Sequence, residues 1–142
     1  MNSLKRTCAS LALVLLLAVS VAGGVAQAHV SKQNNGISAE LHIPPGDSPK
    51  AGEPTRIRIS FEDKKGSFRL QDCDCKINLE QSGKVLQTSI LEPATKGATL
   101  DSFSTITFPR VGVYDIVVTG SSKNGAFPSF KLDYQVRVAS GA

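Results

Sequence analysis

The sequence has few of the side chains from which buried catalytic sites are usually built. It contains no tryptophan, two histidines and three cysteines among 142 residues. Both histidines, His29 and His42, lie in the first third of the chain, and no nucleophile motif stands beside them. Hydrolysis by a Ser-His-Asp or Cys-His arrangement is therefore disfavoured. We expect a protein that is not an enzyme.

Clusters of basic residues are absent as well. Lys5 and Arg6 account for half of the formal net charge of +4, and no cluster of lysine or arginine follows them. The aromatic residues mostly follow the period of β-strands and do not alternate with positive charge as on a nucleic-acid platform. The composition predicts no nucleic-acid partner.

The N-terminal residues have the three-part pattern of a secretory signal peptide. Lys5 and Arg6 precede an apolar run over residues 11–22, and Ala26-Gln27-Ala28 supplies small residues for cleavage. A membrane-spanning helix needs roughly 20 apolar residues, so an uncleaved anchor is the weaker alternative. We predict a signal peptide helix over residues 1–28, followed by one domain over residues 29–142. The protein is then exported to the periplasm or the extracellular space, with no membrane span in the mature chain.

Alternation of apolar and polar residues predicts a chain built almost entirely of strands. The pattern is clear over residues 37–43, 55–62, 73–79, 85–91, 100–108, 113–119 and 130–138, with turns rich in Gly, Pro and Asn between them. No segment after residue 28 has a sustained helical period. About seven short strands in roughly 110 residues are typical of an immunoglobulin-like antiparallel β-sandwich. Tyr114 stands near the start of one strand, where such domains often carry a corner tyrosine.

The two histidines can be brought together by a single hairpin. Asn35-Gly36 is a strong signal for a two-residue turn. In that register Asn34 pairs with Ile37, paired residue numbers sum to 71, and His29 falls opposite His42. Opposed Cβ atoms lie about 4.5–5.5 Å apart, which is close enough for two imidazoles to share one ion.

A histidine at the mature N terminus supplies two nitrogen ligands, the α-amine and the imidazole Nδ1. Amine and imidazole nitrogens suit Cu(II), so His29 and His42 form a predicted copper site. The alternatives are a frayed, disordered terminus for His29 and an exposed strand-end residue for His42.

The segment Asp72-Cys73-Asp74-Cys75 leaves three interpretations open. In a fully extended strand, residues two apart are roughly 6.6 Å apart, near the upper limit for a disulfide. The cysteines could form a strained or bulge-accommodated disulfide, remain as two buried thiols, or act as a soft-metal or redox pair. Because thiolates bind Cu(I) and Zn, Cys73 and Cys75 are included among the candidate metal ligands.

These features together resemble small exported immunoglobulin-like copper proteins, the CopC-like and YtkA-like groups. The shared elements are the leader ending in Ala-x-Ala, His29 as the first mature residue, the short sandwich, and Ala51-Gly52-Glu53-Pro54 before an alternating strand. The resemblance implies copper binding in the cell envelope. Only His29 corresponds by position. The late Asp-x-His of CopC-like proteins has no counterpart in residues 120–125, and no methionine follows residue 1.

Two other functions are compatible with the sequence. One is a structural or protein-binding module that docks to an envelope protein without metal. The other is an oxidative copper enzyme of the polysaccharide-cleaving type, which also uses an N-terminal histidine, although the chain is short for the flat binding face that such enzymes need.

Overall fold

The computed structural model describes residues 30–139. Nine β-strands account for most of this range, and a single 3-10 turn, Leu70–Asp72, precedes the fourth strand. The strands are β1 (Val30–Asn34), β2 (Ile37–His42), β3 (Pro54–Asp63), β4 (Cys73–Gln81), β5 (Lys84–Ile90), β6 (Glu92–Pro93), β7 (Asp101–Thr107), β8 (Gly112–Ser122) and β9 (Phe130–Val138). The predicted signal peptide helix and His29 lie outside the described residues.

The strands form two antiparallel sheets packed face to face. One sheet has the order β1-β2-β3-β7-β6 and the other has the order β5-β4-β8-β9. With β1 set aside, this order matches the two sheets of an immunoglobulin-like domain, with one further edge strand beside the second sheet. The predicted β-sandwich is therefore confirmed. The strand count rises from about seven to nine because β1 and the two-residue β6 were not among the strands that alternation identified.

The first hairpin has the register that its turn residues predict. Asn35 and Gly36 both have positive φ angles, 51° and 84°, as a type I′ turn requires. Asn34 pairs with Ile37 and Val30 pairs with Leu41, so paired residue numbers sum to 71 along the whole described hairpin. β2 buries Ile37, Ala39 and Leu41 and leaves the alternate residues partly exposed.

The core lies between the two sheets and follows the alternation of the sequence. The largest side chains with less than 2% exposure are Tyr114, Tyr134, Phe68, Phe108, Ile37, Ile43, Ile57, Ile59, Ile77, Leu79, Ile106 and Ile116. The buried hydroxyl of Tyr134 donates a hydrogen bond to the Ala39 carbonyl oxygen across the sandwich, at 2.6 Å. This bond satisfies a polar group that would be costly to bury alone.

Tyr114 forms the tyrosine corner that its position predicts. Its hydroxyl donates to the Arg110 carbonyl oxygen at 2.7 Å and accepts from the Arg110 amide at 3.3 Å. Its ring packs edge-on against Phe108, with the ring centroids 5.3 Å apart. The corner fixes the turn that leads into β8.

The two sheets are joined along both long sides of the sandwich. On one side, Asn35 Nδ2 donates to the Ser129 carbonyl oxygen at 2.6 Å, and Asn34 Oδ1 accepts from the Lys131 amide at 3.1 Å. On the other side, the Gln87 side chain of β5 reaches β7, where its Nε2 donates to the Thr105 carbonyl oxygen and its Oε1 accepts from the Thr107 amide. Gln87 thus bonds to β7 much as a neighbouring strand would.

Between residues 30 and 139, no helix is long and apolar enough to cross a membrane.

Candidate metal site at the end of β2

His42 is the last residue of β2 and lies on the outer face of the five-stranded sheet. Its side chain is 33% exposed, and its Nδ1 lies 3.3 Å from Asp47 Oδ1. This contact is an ion pair only when the imidazole is protonated. The imidazole is therefore accessible and sits beside a carboxylate.

The loop after β2 brings Asp47 to that position. The loop has a cis peptide bond between Pro44 and Pro45, and Gly46 and Asp47 have positive φ angles of 64° and 55°. Asp47 Oδ1 accepts a hydrogen bond from the Ile43 amide at 2.6 Å, and the Asp47 amide donates to the Ile43 carbonyl oxygen at 2.7 Å. The chain turns back on itself, so Asp47 caps the end of the strand next to His42.

Sequence reasoning identified Pro44-Pro45-Gly46-Asp47 as a turn but did not identify Asp47 as a neighbour of His42. The available signal was the aspartate itself, because Asp often bonds nearby backbone amides in turns and tolerates positive φ. The carboxylate is mostly covered, with a side-chain exposure of 15%.

The predicted pairing of His29 with His42 extends one residue beyond the described hairpin. The first described pair is Val30 with Leu41. The pairing of His29 therefore stays a prediction. Among residues 30–139, no group of three or more His, Cys, Asp or Glu side chains is placed to hold a metal ion.

The candidate ligands Cys73 and Cys75 lie in the other sheet, at the start of β4. They form a disulfide with a Cα–Cα separation of 5.2 Å, shorter than a fully extended strand would give. The sulfurs of a disulfide are not thiolates, so metal binding by this pair requires its reduction and stays a prediction for the reduced form. The structure does not bring His42 and the cysteines into one ligand set.

A charged network lies beside His42 on the same sheet face. Arg58 pairs across the strands with His42, and its guanidinium donates to Asp101 Oδ1 at 3.1 Å. The Ser60 hydroxyl donates to the same oxygen at 2.6 Å. The Ser60 hydrogen bond, together with Arg58, holds the pKa of Asp101 below its ordinary value of 3.8. Asp101 thus balances the positive charge of Arg58 next to the candidate ligand.

The same face has a cleft of about 450 Å³ that sequence reasoning did not find. Pro44, Arg56, Arg58, Asp101 and Phe103 line part of it. Arg56 stacks on the Phe103 ring, with Cζ 3.5 Å from the ring centroid. Such stacking leaves the guanidinium edge available for hydrogen bonds. The cleft is a surface on which polar ligands could bind near His42.

No family model and no curated protein match the sequence. Among solved structures, a DUF4426 family protein from Pseudomonas aeruginosa PAO1 is similar with a TM-score of 0.57 at 7% sequence identity, covering 82% of this chain and 98% of that chain. An engineered protein from a structural genomics consortium gives a TM-score of 0.45 at 21% identity, covering 72% of this chain and 20% of that chain. At such low identity, the similarity to the DUF4426 protein shows a shared β-sandwich fold and nothing about function.

Proposed function

We propose that the protein is exported and binds one copper ion in the cell envelope, through the α-amine and imidazole of His29 and the imidazole of His42. The ligand set is three nitrogens, which suits Cu(II). The proposal also assigns the protein a part in envelope copper handling and no enzymatic activity.

The observation that carries this proposal is the placement of His42 in the first hairpin. The register pairs Val30 with Leu41, and in the sequence His29 precedes Val30 and His42 follows Leu41. A two-histidine site at this end of the hairpin therefore requires only that the same pairing continue by one residue.

Asp47 supports the proposal through its contact with His42. When the imidazole is neutral, a carboxylate near Nδ1 favours the tautomer that carries its proton on that nitrogen, which leaves the Nε2 lone pair for a metal. Metal-bound histidines usually have such a second-shell partner. The 3.3 Å contact of His42 with Asp47 fits this role.

The test is a calorimetric titration of Cu(II) into protein that has been exported and processed, so that the α-amine of His29 is free. We expect binding of one ion per chain. The matched control is His29→Ala, which keeps the chain length and the free amine and removes the imidazole that closes the chelate ring.

We expect His29→Ala and His42→Ala each to weaken binding by more than the roughly 10- to 100-fold loss typical of second-shell changes. Equal affinity for the unchanged processed protein, His29→Ala and His42→Ala would contradict the proposal. Signal peptide cleavage at a bond other than Ala28–His29 would contradict it as well, and N-terminal mass analysis decides that point.

A second candidate function is a protein-binding module of the envelope. The observation that favours it is the edge strand β5, where Val85, Leu86 and Ile90 are 48%, 41% and 64% exposed. Exposed apolar side chains on an edge strand are typical of a surface that pairs with another protein. Absence of any copper response, together with co-purification of one envelope protein that Leu86→Lys abolishes, would favour this function.

A further inference from the structure

We infer that the Cys73–Cys75 disulfide is redox-active and exchanges with the dithiol of a partner protein. This function is separate from the proposed copper site, because the cysteines lie at the start of β4 in the sheet opposite His42.

A disulfide between residues two apart is expected to stabilise the fold less than one that closes a long loop. Its ring closes only three residues, and the entropy removed from the unfolded chain depends on the length of the closed loop. By this dependence, the three-residue ring gives about half the stabilisation of a 15-residue loop and about a third of that of a 100-residue loop. Stabilisation of the fold is therefore a weak explanation for the presence of two cysteines at these positions.

The disulfide lies at an open end of the sheet. On one side, Cys73 pairs with Ser122 and Cys75 pairs with Gly120 of β8. On the other side, the pairing of β4 with β5 begins only at Lys76. The edge of residues 73–75 that faces away from β8 is thus not covered by a neighbouring strand.

The two cysteines are largely buried, with exposures of 6% and 7%, and they line a surface cleft of about 290 Å³. Cys73, Cys75, Leu91, Pro93 and Lys123 are among its lining residues. The cleft is partly apolar and borders the exposed side chain of Ile90. Under this inference the cleft is the path by which a partner thiolate reaches the disulfide in the folded sandwich.

On its other side, the disulfide packs against Gly120 of β8, which has no side chain and so leaves space for Cys73 Sγ. A Cβ placed on Gly120 would lie 2.8 Å from Cys73 Sγ and would also collide with the Phe130 ring. The close packing of Cys73 against β8 leaves the cleft as the direction from which a thiolate can attack.

Lys123 supplies a positive charge in the same cleft. Its ammonium donates to the Gln71 carbonyl oxygen at 3.1 Å, and its amide donates to the Asp72 carbonyl oxygen at 2.8 Å. These bonds anchor Lys123 on the turn that leads into Cys73. A cation in the cleft stabilises a thiolate formed there. Because Cys73 Sγ packs closely against Gly120, we assign the attack to Cys75 and the leaving thiolate to Cys73.

The exchange balances in two steps. A thiolate of the partner attacks Cys75 Sγ, a mixed disulfide forms, and the Cys73–Cys75 bond breaks to leave a Cys73 thiolate. The second thiolate of the partner then attacks the partner sulfur of the mixed disulfide and releases Cys75. The partner dithiol loses two electrons and becomes a disulfide, and the two cysteines gain two electrons and two protons.

The test is reduction of the processed, folded protein in excess reduced glutathione, with a chelator present so that copper binding has no influence. Free thiols are counted by alkylation and mass measurement, and circular dichroism follows the fold. We expect both cysteines to be alkylated while the β-sheet signal is unchanged. A pair that stays oxidised until denaturant is added would overturn the inference.

Two single substitutions test the role of Lys123. We expect Lys123→Gln to slow the reduction by roughly three-fold or more, because the leaving thiolate loses its cation. Lys76→Gln removes the same charge from an exposed position of β4 outside the cleft and should leave the rate unchanged. Equal rates for Lys123→Gln and the unchanged protein would overturn the assignment of Lys123.

The double substitution Cys73→Ser, Cys75→Ser separates exchange from stability. We expect it to abolish alkylation and to leave a folded sandwich. Loss of the fold in this variant would overturn the inference, because the disulfide would then be structural.

Discussion

The loop after β2 and the segment that opens β4 both place reactive side chains at the end of a strand, but they hold these side chains by different means. Asp47 is held by hydrogen bonds to the backbone of Ile43. Cys73 and Cys75 are held by a covalent bond and by packing against Gly120. The conformation of the loop depends on hydrogen bonds, whereas the position of the disulfide depends on the space that Gly120 leaves because it has no side chain.

The largest loss of stability is expected when the space beside Gly120 is filled. Gly120→Ala would force the new methyl group against Cys73 Sγ and the Phe130 ring, and overpacking of this kind typically costs about 1–3 kcal/mol. We expect a loss in the upper part of that range, measured as the free energy of unfolding in urea.

The matched control for Gly120 lies in the loop after β2. Gly46 has a positive φ of 64° and nothing within 4 Å of its added Cβ, so Gly46→Ala tests backbone strain without a collision. We expect a loss of about 1 kcal/mol, from the left-handed conformation alone. Equal losses at the two glycines would show that packing at Gly120 is not what distinguishes the two regions.

A smaller loss of stability is expected when the carboxylate of Asp47 is removed. Asp47→Ala leaves the amide of the buried residue Ile43 without its side-chain acceptor, and an unsatisfied buried donor costs about 1–3 kcal/mol. We expect a loss near the lower end of that range, because Asp47 is partly exposed, and a urea titration measures it.

Asp47→Asn sharpens the same comparison. Asparagine keeps an acceptor oxygen and tolerates positive φ, so we expect it to restore most of the stability that alanine loses. It removes the negative charge beside His42, so under the proposed function copper affinity falls by roughly 10- to 100-fold. A stability loss for asparagine as large as for alanine would mean that charge, not hydrogen bonding, holds the loop.

The smallest loss of stability is expected at low pH, when the carboxylate of Asp63 is protonated. Asp63 accepts hydrogen bonds from the amides of Lys65, Ser67 and Phe68 and from the Ser67 hydroxyl. Burial raises the pKa of Asp63, but these bonds together outweigh burial and hold the pKa below 3.8. A carboxyl whose pKa is lower in the folded state stabilises the fold above its unfolded pKa and loses that contribution as the pH falls through the folded value.

We therefore expect the urea concentration at the unfolding midpoint to decrease as the pH is lowered below about 4. The decrease should be smaller in Asp63→Asn, which keeps an acceptor but does not titrate. Asp101, whose pKa is also lowered, contributes in the same direction. Identical acid dependence in Asp63→Asn and the unchanged protein would assign the effect to other carboxyls.

Local sequence signals predicted much of the fold because the responsible interactions are local. Asn35-Gly36 determines the hairpin register, since its positive φ angles select one turn type. Alternation placed the core residues of β3 and β9, and Tyr114 was predicted at the corner that it forms.

The remaining features depend on contacts between distant parts of the chain. Gln87 bonds to residues 18 and 20 positions away, and no periodicity distinguishes it from its polar neighbours. The contact of Asp47 with His42 requires the detailed path of the loop. The cysteine separation of 5.2 Å could not be derived from the dimensions of a fully extended strand.

Gln87 has a consequence for the behaviour of the protein at high concentration. β6 pairs with β7 only at Ser102 and Phe103, which would leave the backbone near Thr105 and Thr107 open to a strand from another molecule. The Gln87 amide occupies the Thr105 carbonyl oxygen and the Thr107 amide. Gln87 thereby occupies backbone groups of β7 that the two-residue strand β6 does not reach. A strand of another molecule cannot pair with these groups, and such pairing is how edge strands start fibrils.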